Sequence, residues 1–250
     1  MNFLEKLLLR LMGAFQFLTV LPIQGRTAPV HESAPFFPIV GAMIGLFSSL
    51  PMAWLPTPMG LNAALTLAIQ LVLTGMLHED GLMDIADAVR KGRTRERIFA
   101  ILKDSHVGAF GAATIGIALI LRWQGLEGTA NPYLNPFQIM GYVAAAEGLS
   151  RCAILWLALV TPAAREGSGA SLSENRNFFL LLASIVQAVF LSSFIALGLR
   201  LWLLGGLLLI VAIARRYFIA RLGGVVGDCF GAVQQVAVIY CLVVYSWPTF

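Results

Sequence analysis

The stretch from Leu77 to Gly111 reads LHEDGLMDIADAVRKGRTRERIFAILKDSHVGAFG and interrupts an otherwise apolar chain. It holds six of the thirteen acidic residues. Asp80, Asp84 and Asp87 follow one another at spacings of four and three, so in a helix their carboxylates share one face. The rest of the chain is interpreted as a scaffold that presents residues 78–106.

Like charges on one helix face repel, so this spacing predicts a cation among the three carboxylates. Hard oxygen ligands without a cluster of Cys or His favour Mg²⁺ or Mn²⁺ over Zn²⁺, and Mg²⁺ commonly shares its coordination shell with substrate phosphates. The basic residues that follow, including Arg93 and Lys103, suit a phosphate-bearing substrate because guanidinium groups bind phosphate oxygens well. The alternative is a solvated polar loop between two membrane spans.

Composition indicates an integral membrane protein. The 250 residues are 58% hydrophobic and only 12% charged, against about 25% charged in soluble domains. The formal charge of +4 is small and dispersed, which argues against a nucleic-acid partner. Cys152, Cys229 and Cys241 form no spaced motif, so neither a disulfide framework nor a zinc site is expected.

The pattern predicts an all-α, polytopic membrane helix bundle that forms a single domain over residues 1–250. Leucine and phenylalanine recur at helical spacing in the first 18 residues, which predicts an amphipathic helix; a first membrane span is the alternative. Seven later runs are long enough to cross the bilayer. They lie at 36–55, 61–77, 107–123, 138–160, 178–197, 201–219 and 230–247.

Basic residues predict the orientation of this bundle. With seven alternating spans, every Lys and Arg except Arg122, Arg151 and Arg200 falls on the side of the N-terminus. Cytoplasmic loops are enriched in these residues, so residues 78–106 are expected to face the cytoplasm. The glycine-containing loops near Arg165 and Asp228 fall on the same face.

Several polar residues outside the acidic helix are further candidates, each with a structural alternative. Lys103, Asp104 and Ser105 precede a span that Ser105 could simply cap. Asp228, among four glycines, is either a metal ligand or base, or the N-cap of the last helix. Glu147 and Arg151, spaced i and i+4 within a span, either neutralise each other or place Arg151 on a phosphate.

Seven motifs in this order resemble the cobalamin synthases, the adenosylcobinamide-GDP ribazoletransferases. They are FQFLTVLPI, FFPIVGAMIG, HEDGLMDIADA, ILKDSHVGAFGA, LSR at 149–151, AREGSGA and RLGGVVGDCFGA. The sequence departs from the usual pattern at three places. Gln235 stands where the family commonly has glutamate. AVRKG follows the third acid, where family members commonly have Gly-rich sequence, and the AREGSG loop is one residue shorter than usual.

The resemblance implies a Mg²⁺-dependent enzyme of the bacterial inner membrane, with its active site facing the cytoplasm. It would join adenosylcobinamide-GDP to α-ribazole, or to α-ribazole 5′-phosphate, and release GMP. The chain could also form a homo-oligomer. Taken with the residue patterns above, the candidate residues fall into three groups: metal ligands Glu79, Asp80, Asp84 and Asp87; catalytic acids Asp80, Asp84, Asp87, Asp104 and Asp228; substrate-binding residues Arg93, Lys103, Ser105, Arg151 and Arg165.

Two other functions fit parts of the pattern. A CDP-alcohol-type phosphotransferase also uses clustered aspartates on membrane helices, but its D-G-x-x-A-R opening is not met after Asp80. A small-molecule transporter is compatible with seven spans. The polar residues, however, are expected at one face of the bundle and not at the bilayer midplane, where transporters place their sites.

Overall fold

The structure is a computed structural model that describes residues 2–89, 94–104, 106–130, 134–174, 177–193, 195 and 197–247. These residues form α-helices without a β-strand, which confirms the all-α prediction. The helices are α1 (Phe3–Leu18), α2 (Val30–Ser33), α3 (Phe37–Ser48), α4 (Leu50–Trp54), α5 (Met59–Thr74), α6 (Leu77–Ala88), α7 (Arg95–Ile101), α8 (Ala109–Thr129), α9 (Pro136–Val160), α10 (Ser168–Glu174), α11 (Phe178–Leu191), α12 (Leu197–Leu222) and α13 (Gly227–Tyr245).

Within the described ranges, five helical segments are long and apolar enough to cross a membrane, or six if α5 and α6 form one bent span. The polytopic membrane bundle is therefore confirmed, but two of the seven predicted spans are short. Helix α5 has 16 residues and α11 has 14, whereas about 20 are needed to cross the bilayer core. Hydropathy stays high across a helix end, so the predicted runs continued past the points where these helices end.

The end of α5 determines the direction of α6. Gly75 and Met76 both adopt a left-handed backbone conformation with φ of 59°, and α6 leaves at 87° to α5. The Met76 amide donates to the Leu71 carbonyl at 3.1 Å, which closes the end of α5. The Val20 amide donates to the Leu73 carbonyl at 2.9 Å. These bonds turn the acidic helix away from the axis of the preceding span.

Helix α9 is the centre of the bundle, with most of its length buried among α3, α13 and α11. Helix α3 approaches it closely through Gly45, where an added Cβ would lie 2.6 Å from the Val143 carbonyl oxygen. Small residues at such contacts let helix backbones pack tightly in membranes. A side chain at Gly45 would force α3 away from α9.

A buried ionic network joins α6 to this bundle. The Arg122 guanidinium of α8 donates to Glu79 of α6 at 2.5 Å and to Glu147 of α9 at 3.1 Å. It also donates to Gln70 of α5 at 2.8 Å and to Gln235 of α13 at 3.2 Å. One side chain thus connects five helices in an environment where an unpaired charge is costly.

Arg151 completes the charge balance of the network. It pairs with Glu147 one turn earlier on α9, so the two buried arginines, Arg122 and Arg151, face two buried glutamates, Glu79 and Glu147. Arg122 was assigned from the sequence to the opposite membrane face; that assignment is wrong, since its side chain is only 2% exposed. Hydropathy cannot distinguish a charge at the end of a span from one paired inside the bundle.

The connections near α6 gather at one end of the bundle. Ala163 forms an isolated bridge with Val225, which places the loops that follow α9 and α12 side by side. Arg95 of α7 donates to the Ala164 carbonyl at 3.4 Å. The ends of α8 and α13 meet at the other end of the bundle, where an added Cβ at Gly128 would lie 2.6 Å from Ser246. Loops distant in sequence therefore surround α6.

Replacing Arg122 with methionine should lower the free energy of unfolding by about 3 kcal/mol, because Glu79 would remain buried without a cation and Glu147 would keep only Arg151. Thermal unfolding of the purified chain in detergent micelles measures this loss. Arg216→Met is the matched control, since Arg216 is exposed on α12. Equal melting temperatures for the two variants would contradict the stabilising role of the network.

Candidate active site

Helix α6 presents its aspartates as the sequence predicted. Asp80 is exposed, while Asp84 and Asp87 are half-buried. Asp84 lies in the electrostatic field of Asp80, Asp228 and Asp87. Four carboxylates from α6 and α13 therefore act on one another at the same end of the bundle.

Two glycines bring Asp228 to this group. An added Cβ on Gly81 would lie 2.9 Å from the Asp228 carbonyl oxygen, and one on Gly231 would lie 3.0 Å from the His78 carbonyl oxygen. The start of α13 can thus pack directly against the backbone of α6. Asp228 therefore lies directly against the acidic helix.

Asp80 and Asp228 lie on the wall of a pocket that we call the aromatic pocket. It encloses about 690 Å³ of empty space, including its open mouth. Its other lining residues are mostly apolar and come from seven helices. They are Phe17, Val30, Phe37, Leu77, His78, Ile154, Leu172, Gly227, Phe230 and Gly231.

A second, more polar pocket adjoins Asp228 on its other side, and we call it the arginine pocket. Arg165, Glu166 and Gly167 line it together with Gly227 at the start of α13. The Arg165 guanidinium stacks over the Phe99 ring at 5.1 Å. A guanidinium beside a helix N-terminus favours an anion, so this pocket has the chemistry of a phosphate site.

Asp87 also has a structural role. Its Oδ2 accepts a hydrogen bond from the Gly108 amide at 2.7 Å, just before α8 begins. Added Cβ atoms at Gly108 and Gly111 would collide with the Asp87 carboxylate. The space that these two glycines leave is therefore occupied by the Asp87 carboxylate.

The structure does not bring Glu79 to the other three acids of α6. Its side chain is 6% exposed and pairs with Arg122, and its Oε1 accepts from Gln235 at 2.8 Å. Neighbouring residues on a helix point about 100° apart, so Glu79 is directed into the bundle beside an exposed Asp80. The predicted set of metal ligands is revised to exclude Glu79.

Arg151 is also absent from both pockets. It is 1% exposed and bonded to Glu147 and Ser150 of its own helix, so the structural alternative for this pair holds and the predicted phosphate contact does not. No member of the ionic network lines either pocket. These buried charges lie in the bundle interior, where they are paired with one another.

The segment containing Lys103 and Asp104 lies outside the two pockets. Both residues are exposed, and Asp104 accepts hydrogen bonds from the His106 amide at 3.1 Å and ring at 2.5 Å. The His106 contact lowers the pKa of Asp104 and raises that of His106. Ser105 and Arg93, two further predicted binding residues, lie outside the described residues.

The carboxylates fit a magnesium ion only as a partial set of ligands. In the described part of the chain, no three His, Cys, Asp or Glu side chains converge to hold a metal by themselves. Mg²⁺ commonly uses one or two carboxylates and completes its shell with water and substrate phosphates. Asp80 and Asp84, with Asp228 nearby, are consistent with that kind of site.

Sequence reasoning missed the aromatic pocket. Phe17, Phe37 and Phe230 come from distant parts of a chain in which phenylalanine is common, so no spacing marked them as a group. Phe17 and Phe37 stack with centroids 5.4 Å apart. Each of these phenylalanines lies within one of the motifs that resemble the cobalamin synthases, and no other sequence pattern indicated the pocket.

Comparison with known proteins agrees with the resemblance found in the motifs. The family model for cobalamin-5-phosphate synthase matches residues 10–246. Three relatives are adenosylcobinamide-GDP ribazoletransferases. The one from Bradyrhizobium diazoefficiens is 34% identical (92% of this chain, 90% of the relative), that from Ralstonia nicotianae 34% (88% and 86%), and that from Deinococcus radiodurans 36% (94% and 84%). No solved structure matches. This chain belongs to the cobalamin-5-phosphate synthase family of transferases.

Proposed function

We propose that this enzyme joins adenosylcobinamide-GDP to α-ribazole, or to α-ribazole 5′-phosphate, in a Mg²⁺-dependent reaction that releases GMP. The product is adenosylcobalamin or its 5′-phosphate. The observation that carries the proposal is the position of Asp80 and Asp228 on the wall of the aromatic pocket, with Asp228 also bordering the arginine pocket. The names of the relatives agree with this reaction.

Arg165 and the amide groups at the start of α13 would hold the pyrophosphate of the GDP-activated corrinoid. Arg165 and Asp80 both act electrostatically on Asp228, so the cationic and anionic parts of the site adjoin there. Asp80 and Asp84 would hold Mg²⁺, which when bound neutralises charge on the transferring phosphoryl group. The side chains otherwise act by holding the two substrates in line.

The bond changes balance without another reactant. A ribose hydroxyl of α-ribazole attacks the phosphorus nearer the corrinoid, a new P–O bond forms, and the bond to the GMP oxygen breaks. The hydroxyl proton passes to a carboxylate. Asp228 is favoured over Asp87 for this role, because it borders both pockets whereas Asp87 binds the Gly108 amide.

The proposed location is the bacterial inner membrane, with the α6 end of the bundle facing the cytoplasm. Arg95 donates to the Ala164 carbonyl at 3.4 Å and Arg215 donates to the Val160 carbonyl at 2.8 Å, both beside the loop that follows α9 at this end. Arg200 lies at the opposite end, where it donates to the Ser192 carbonyl at 3.1 Å. Enrichment of Lys and Arg on one side is typical of the cytoplasmic side.

Asp80→Asn should reduce turnover at least 100-fold, because the amide removes a charge from the metal-binding set while preserving the shape of the side chain. Membranes carrying the chain are incubated with adenosylcobinamide-GDP, α-ribazole and Mg²⁺, and cobalamin and GMP are followed by chromatography. Glu127→Gln, at the opposite end of the bundle, is the control. Near-normal turnover in a folded Asp80→Asn protein would refute the assignment of this residue.

Arg165→Ala should raise the KM for adenosylcobinamide-GDP about tenfold or more, since a hydrogen bond to a charged group contributes about 1.5–3 kcal/mol. The KM for α-ribazole should change little. Arg165→Lys should recover part of the loss, because it keeps the charge but not the planar donor pair. If both KM values rise equally, Arg165 does not distinguish the two substrates.

A further inference from the structure

The aromatic pocket has a feature that metal and phosphate binding leave unexplained. It extends from the Asp80 and Asp228 carboxylates inward to Phe37, Ile154 and Phe230, which are 1%, 3% and 6% exposed. Phosphates and a hydrated metal ion gain nothing from such walls. The interior of the pocket is therefore suited to an apolar part of a substrate.

We propose that the aromatic pocket binds the aromatic base of the ribazole nucleoside and thereby determines which base the enzyme accepts. This inference rests on the proposed function and extends it to substrate selection. A base seated between Phe17, Phe230 and Leu172 places its attached ribose at the pocket mouth. There the ribose hydroxyl meets Asp80 and Asp228.

The chemistry of the lining selects this occupant among the groups that the two substrates carry. Guanine has a polar edge that needs several hydrogen-bond partners. Asp80 and Asp228 are assigned to the metal and the ribose hydroxyl, which leaves His78 as the other described polar side chain on this wall. The corrin ring is too large and carries many amides. A carbon-rich bicyclic base matches walls of phenylalanine, leucine and isoleucine. The phenylalanine rings can also stack on the aromatic ring of the base.

The two pockets are arranged in the order that the reaction requires. Asp228 and Gly227 line both pockets, so a base in the aromatic pocket and a pyrophosphate in the arginine pocket would meet at Asp228. The reacting hydroxyl and phosphorus would then lie between the two binding sites. Neither substrate would have to cross the position of the other.

The test uses variants that narrow or widen the pocket. The KM for each substrate is measured separately, with the full chain in detergent micelles. Val30→Phe adds bulk at a half-buried position of the wall. It should raise the KM and the Kd for α-ribazole about tenfold or more, the scale at which apolar pockets discriminate by size, and leave the KM for adenosylcobinamide-GDP unchanged. The KM for the riboside of unmethylated benzimidazole should rise less than the KM for the riboside of the dimethylated base.

Phe17→Ala provides an independent variant that widens the pocket. It should weaken the preference for the dimethylated base over the unmethylated one. Ile185→Phe is the control, because it also replaces an aliphatic side chain with phenylalanine, but in an apolar groove between α9, α11 and α12, away from the site. Thermal unfolding checks that each variant is folded.

The outcomes separate this inference from the proposed reaction. If the unmodified enzyme forms cobalamin and GMP but Val30→Phe leaves the α-ribazole KM unchanged, or acts equally on both substrates, the inference is wrong and the reaction stands. If no product forms yet α-ribazole binds in a Val30-dependent manner, the pocket assignment stands and the reaction is wrong. An equal effect of Ile185→Phe would also overturn the pocket assignment.

Discussion

The ion pair between Arg122 and Glu79 is the interaction on which the site depends. Helix α6 is short, amphipathic and set at 87° to α5, so hydrophobic burial alone would hold it weakly against the bundle. Glu79 connects α6 to the ionic network, which includes Arg122 of α8, Glu147 of α9 and Gln235 of α13. Because a buried charge without its partner is costly, α6 cannot rotate without disrupting this network.

The same network explains the amide at position 235. Two arginines and two glutamates already balance, and Gln235 supplies both a donor to Glu79 and an acceptor for Arg122. A carboxylate there would add a third negative charge to the buried set. Gln235 therefore affects the charge balance of the ionic network and does not line either pocket.

Adjacent residues of α6 serve separate purposes. Glu79 faces the interior, while Asp80 faces the aromatic pocket. Gly81 follows and admits the start of α13. Three consecutive positions thus fix the helix to the bundle, present a carboxylate and bring in Asp228, because each step along a helix turns the side chain by about 100°.

By itself, the sequence determined the membrane class, the helical architecture, the shared face of Asp80, Asp84 and Asp87, and the family, since hydropathy, helical spacing and ordered motifs are local properties. Only the tertiary structure decided that Glu79 and Arg151 belong to a buried network, that α5 and α11 are short, and that distant phenylalanines line a pocket beside Asp228. These outcomes depend on which helices pack together and on where each helix ends. A pocket wall leaves no periodic mark in a chain that is apolar almost throughout, and neither does an ion pair between distant helices such as the pair of Glu79 with Arg122.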